Sequence, residues 1–97
     1  MAVLEVCTFA LSETADDDAM RAADARMQTD FAYQQPGLAR RTTARDRDGR
    51  WCVVTLWASY DDATAAESAA ESDDVAQTFW SLVDRDSVSV QRFTLLD

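Results

Sequence analysis

Two hydrophobic periods alternate along this chain, one of about two residues and one of about three and a half. Residues 2–11 (AVLEVCTFAL) are rich in β-branched and aromatic types and alternate in polarity over the middle, which predicts a strand. Met20, Ala23, Met27 and Phe31 then recur at helical spacing and mark one face of a helix running to about Tyr33. Its start is signalled by Thr14 with Asp17 three residues on, a capping-box pattern, and by the run Asp16-Asp17-Asp18 at the positive end of the helix dipole. Pro36-Gly37 ends it, because proline cannot continue a helix and glycine permits the turn.

Leu38 to Asp46 reads as a second strand, unusually polar, and Arg50 to Ala58 as a third that is apolar on both faces and hence buried on both. Asp48-Gly49 between them is a strong hairpin signal and predicts a type I′ turn. Ser59 is a good N-cap for an alanine-rich helix from Tyr60 to about Glu71, and Ser72-Asp73-Asp74 looks like a second cap. Val75, Phe79, Leu82 and Val83 give that second helical piece an apolar face, and Ser87 to Leu95 is the last strand. No repeat, linker or low-complexity block interrupts the order, so residues 1–97 are one domain.

A βαββαβ order predicts an α+β, ferredoxin-like domain: one antiparallel sheet with two helices on one face. Strand side chains alternate, so Trp51, Val53, Thr55 and Trp57 share a face, as do Val3, Glu5, Cys7 and Phe9. Leu4, Val6 and Thr8 are assigned to the helices. The tryptophan-bearing face then needs another cover, and the simplest is a second copy of the sheet. That predicts a homodimer, an α/β-barrel with its cavity between the two sheets. Small size points the same way, since a domain of this length buries only roughly 60–65% of its unfolded surface.

The totals narrow the chemistry. The formal net charge is −9 and the basic residues are all arginine. The bias fits either codon usage or adaptation to salt. An acidic chain repels phosphate backbones, and no basic stripe is interleaved with aromatics, so a nucleic-acid partner is not expected. No apolar run approaches the about 20 residues of a membrane span. No basic segment precedes an apolar one at the N-terminus, so no signal peptide and a cytoplasmic location are expected. Histidine is absent, which removes the commonest general base and metal ligand.

Candidate site residues follow from the strand faces. Counting back across Asp48-Gly49 pairs Trp57 with Arg40 and Thr55 with Thr42. A cavity on that face would hold an indole, an arginine and two hydroxyls, with Glu5, Cys7 and Phe9 on the neighbouring strand. An arginine beside an indole suits an aromatic anion, by a charge-assisted hydrogen bond and stacking. The alternative is that Trp57 fills the barrel while Arg40 reaches the rim or pairs with an acid. Glu5 is either a proton acceptor or, the favoured reading, the partner of an arginine such as Arg92 or Arg40 across the dimer. Cys7 is expected to be inert, and it and Cys52 lie on opposite faces, so no disulfide joins them. The acidic clusters Asp16–Asp18, Asp61–Asp62 and Asp73–Asp74 all sit at helix starts and read as caps, not as a metal site.

Pro36-Gly37, the hairpin strand, and Leu56-Trp57-Ala58-Ser59 running into Asp61-Asp62-Ala63 resemble the dimeric α/β-barrel family, in its antibiotic-biosynthesis-monooxygenase-like branch. The resemblance covers nearly the whole chain in element order. It implies a dimer and a cavity for a small aromatic or polyketide-like molecule, with no cofactor in those members that oxidise such compounds. It also implies that quinone-forming members use a tryptophan at the position of Trp57, an asparagine four residues earlier and a tyrosine six residues later; this chain has Val53 and Ala63 there. Haem-degrading members are implied to use an asparagine near Cys7, a tryptophan near Ala66 and a histidine near Phe79 or Trp80, none of which is present. Two functions are carried forward: a cofactor-independent oxygenase or binder of an aromatic ligand, and a non-catalytic binding or interaction module that has lost the catalytic set.

Overall fold

Each strand forms where the alternation places one. In the computed structural model, which describes residues 1–97, these are β1 (Val3–Phe9), β2 (Leu38–Arg45), β3 (Trp51–Trp57) and β4 (Ser89–Thr94). They make one antiparallel sheet in the order β2-β3-β1-β4. Helices α1 (Asp17–Arg26), α2 (Tyr60–Ala70) and α3 (Asp74–Ser81) complete a ferredoxin-like α+β fold. α1 continues through a π-helical turn over Met27–Phe31 and a 3-10 turn over Ala32–Gln34.

The caps are carboxylates and a hydroxyl, as the acidic clusters suggest. Asp16 accepts from the Ala19 N–H, Ser59 from Asp62 and Asp73 from Ala76. Thr14 does not cap α1; Asp16 stands three residues before the N–H it satisfies and takes that place. Gly37 has φ +83°, and a Cβ there would meet the Asp62 side chain at 2.2 to 2.7 Å. The Pro36-Gly37 turn is thus packed against the first turn of α2, which explains why glycine stands there.

The hairpin differs from expectation in a way that decides the site. A type I′ turn needs positive φ at both central residues, and here Gly49 alone has it, at +84°. The Asp46 carboxylate accepts from the N–H groups of Asp48 and Arg50, and the Gly49 N–H bonds the Asp46 carbonyl. The result is a three-residue loop, a type I turn closed by a left-handed glycine. One extra loop residue slips the register by one, and a one-residue slip flips every side chain. Arg41, not Thr42, stands opposite Thr55, and Leu38, not Arg40, opposite Trp57, with a bulge between Leu38 and Arg40.

The face assignment is reversed as well. The helices cover the face that carries Phe9, Trp51, Val53 and Trp57, and the open face carries Leu4, Val6, Val54 and Leu56. Both faces are apolar, so polarity does not choose between them; size does. Phe9 stacks on Trp51 and meets Phe79 edge-on at 5.8 Å, filling the gap under the helices in a way Leu4 or Val6 could not. The main core joins Phe9, Trp51 and Val53 to Met20 and Phe31 from the first helix and its extension, and to Phe79 from α3. Val3, Trp57, Ala63 and Ala66 form a second, separate cluster.

Candidate functional site

A cavity of about 540 Å³ lies between these two clusters, a size typical of small-molecule sites. It opens between the sheet and the helices of a single chain. The expected cavity between two sheets is corrected on this point, since the face that bears the tryptophans is the one the helices roof. The cause is local. α2 turns Ala63, Ala66 and Ala70 toward the sheet, and three methyl groups cannot fill the space that Phe79 fills under α3.

The floor is a polar row that crosses all four strands. Arg41, Thr55, Glu5 and Arg92 are register neighbours on one face. On one side of the row lie Trp57 and Val3, on the other Val53 and Cys7. The wall is Met27, Phe31 and Ala32, at the π-helical turn. Trp80 and Arg85 line the cavity too, the guanidinium 5.9 Å from the indole centroid.

Both arginines of the row are held. Arg41, its side chain 4% exposed, donates to Asp24 of α1 at 2.7 Å and to Gln28 and Thr43, and lies 5.7 Å from the Phe79 ring centroid. Its backbone N–H donates to the Tyr33 hydroxyl at 2.9 Å. Arg92 donates to Glu5 Oε2 at 2.6 Å and to Glu67 of α2 at 2.7 Å, while Tyr60 flanks it at 5.4 Å. The Glu5 ion pair is therefore made within one chain, not across a dimer. Three groups on the floor of the cavity keep free capacity, the Thr55 hydroxyl being one. The Trp57 indole N–H is buried and has no hydrogen-bond partner. Glu5 is bound through Oε2 alone, leaving Oε1 unengaged.

The buried Cys7 thiol is pushed up to about 11 by burial and then by the nearby Glu5 carboxylate, which removes it as a nucleophile near neutral pH. Cys52 pairs with Thr8 on the opposite face, so the two thiols point apart and both are free. Nowhere do three His, Cys, Asp or Glu side chains converge as a metal site would need.

Of the residues singled out from sequence, Trp57, Thr55, Glu5, Cys7 and Phe9 line this cavity. Arg40 and Thr42 do not; the register slip puts them on the open face, exposed. Arg41 and Arg92 take the place intended for Arg40. The alanine content of α2 was the one sequence signal that could have located the hollow.

No protein-family model and no curated protein matches the sequence. Solved structures do. SnoaB, a cofactor-independent oxygenase from Streptomyces nogalater, superposes with a TM-score of 0.80 at 21% identity, over 99% of this chain and 94% of its own. A candidate antibiotic biosynthesis monooxygenase from Chloroflexus aurantiacus gives 0.76 at 14%, over 100% and 95%. A dimeric ferredoxin-like protein of unknown function from Thermobifida fusca gives 0.77 at 13%, over 98% and 92%. The chain therefore has the ferredoxin-like fold of the antibiotic-biosynthesis-monooxygenase-like proteins.

Proposed function

We propose that this protein binds a small aromatic or polyketide-like molecule in the hollow under α2, and oxidises it without a cofactor. The buried, unpartnered Trp57 N–H carries this reading. An orphaned indole donor costs about 1–3 kcal/mol; it lies just out of reach of water, and a ligand carbonyl or phenolate oxygen would recover it once the indole shifts toward the hollow. The surrounding surface is largely apolar, with alanines above and Val53 and Phe9 below, which suits a flat ring system. In such chemistry the ligand's own carbanion reacts with O₂. One oxygen atom replaces the two hydrogens of an activated methylene as a ketone, and the other leaves as water. The protein supplies orientation and a proton acceptor.

The test uses 1,8-dihydroxy-9(10H)-anthrone as probe. Quenching of tryptophan fluorescence should report binding, weakened about tenfold in Trp57→Phe. Oxygen uptake should accompany quinone formation. Binding without oxygen uptake would favour the second reading, a non-catalytic binding module, which Val53 and Ala63 support by standing where the resemblance implies an asparagine and a tyrosine. Absence of binding overturns both.

The same reading includes a homodimer. The open sheet face carries Leu4, Val6, Val54 and Leu56, with Phe93 49% exposed beside them, a contiguous apolar surface of the kind that marks an interface. A second copy, laid sheet to sheet, would cover it. Light scattering should give twice the 10.8 kDa of one chain, and a monomer mass at micromolar concentration would overturn the dimer.

A further inference from the structure

We infer that Glu5 is the group that takes the ligand's proton, with Arg92 as its positioning residue; this rests on the hollow being the ligand site. The geometry has three parts. First, Glu5 lies on the cavity floor, its side chain 18% exposed, with Oε2 fixed by the Arg92 guanidinium at 2.6 Å and Oε1 free. Arg92 is itself braced by Glu67 at 2.7 Å, so the carboxylate is held from behind by a charge anchored to α2. Second, Glu5 stands opposite Thr55, and Trp57 is two residues further along the same face of β3. The two are diagonal neighbours, about 7–8 Å apart. Trp57 keeps an unspent donor, shielded from water until the indole shifts, and Glu5 an unspent acceptor, and Thr55, between them, makes no side-chain hydrogen bond. A ring system lying across them would present an oxygen to the indole and an acidic hydrogen to the carboxylate.

Third, the other ionisable groups of the floor are committed. Arg41 is tied to Asp24, and the Cys7 thiol is held neutral by burial. The step balances without any further reagent. The ligand C–H bond breaks, its proton passes to Glu5 Oε1, and the electron pair stays on the ligand as an enolate. The negative charge moves from Glu5 onto the enolate, away from Arg92 and toward β3, where a small shift of the indole lets the Trp57 N–H donate to the enolate oxygen. Little charge is created or lost in the cavity, which is the condition for a proton transfer in a largely apolar space.

Anaerobic hydrogen–deuterium exchange at the methylene of 1,8-dihydroxy-9(10H)-anthrone isolates this step from oxygen chemistry. The wild-type protein should accelerate exchange over buffer. Glu5→Gln, which keeps the shape and leaves Arg92 its Glu67 partner, should lose at least tenfold of the exchange rate with probe affinity within threefold. Glu5→Asp, which keeps the ion pair but draws the carboxylate back, should lose a smaller fraction, and it decides the matter if the Gln variant does not fold. Arg92→Lys should lower the rate with little change in affinity. Full-rate exchange by either Glu5 variant, or binding by wild type without acceleration, overturns the role of Glu5 and leaves the ligand site standing. Failure of wild type to bind the probe overturns the site itself.

Discussion

The two ends of the helix-covered sheet face are built from the same kinds of strand residue and do opposite things. At one end Phe9 and Trp51 meet Phe79, Met20 and Val83, and the space is full. At the other, Trp57 and Val3 meet the methyl groups of Ala63 and Ala66, and the space is open. The floor hardly differs; the roof does. A helix that offers phenyl and isopropyl groups seals the sheet, and one that offers methyls stands off from it. The lesson is that a hollow can be made by what a helix leaves out, with no special residue at the site.

That contrast is sharpest under large-to-small change. Phe79→Ala should cost about 3–5 kcal/mol, which for a domain of this length lowers Tm by roughly 15–30 °C, measured by calorimetry. Next comes the border between the two ends, where Arg41 sits. Arg41→Met leaves Asp24 only the Thr43 hydroxyl as a partner and should cost about 3 kcal/mol by urea unfolding. If it costs nothing, the buried pair is not a structural support.

Cys7, beside the polar row, gives a pH signature. The thiol is pushed up to about 11 in the folded chain from 9.0, so the unfolded chain loses this proton first. Stability from this group is complete below about pH 9 and is lost as pH rises toward 11, by about 2–3 kcal/mol. Cys7→Ala should flatten that alkaline slope, and an unchanged slope would place its cause elsewhere. The smallest effect on stability is expected at the open end. Ala66→Leu should change unfolding free energy by no more than about 1 kcal/mol, because the hollow accepts the added methylenes, yet it should abolish anthrone-probe binding. If Ala66→Leu destabilised the fold as much as Phe79→Ala, the two ends would not differ in packing.

Much of this was legible in the chain. The order of elements, the buried stripe of α1, the caps at Ser59 and Asp73, and the membership of Trp57, Thr55, Glu5, Cys7 and Phe9 on one sheet face all follow from periodicity and local hydrogen bonding. These are short-range matters, settled within a few residues. Arg92 was legible as a partner of Glu5, though the pair forms within one chain; Arg41 was not legible as a site residue. Arg40 and Arg41 are adjacent, and choosing between them requires the length of the hairpin loop. The Asp46 carboxylate fixes that length by drawing in two backbone N–H groups, a detail that the Asp48-Gly49 signal hides.

Local patterning was enough to say that strands and helices form, where they stop, and which strand residues share a face. Which face the helices take, and which arginine stands beside Trp57's strand, were set by packing between distant parts of the chain. Alternation is symmetric: it tells two faces apart without ranking them, and a shift of one residue exchanges them. Ranking them takes the volumes of Phe9, Trp51 and Phe79 fitted together, and the small alanines of α2 set against Trp57, which meet only once the chain has folded.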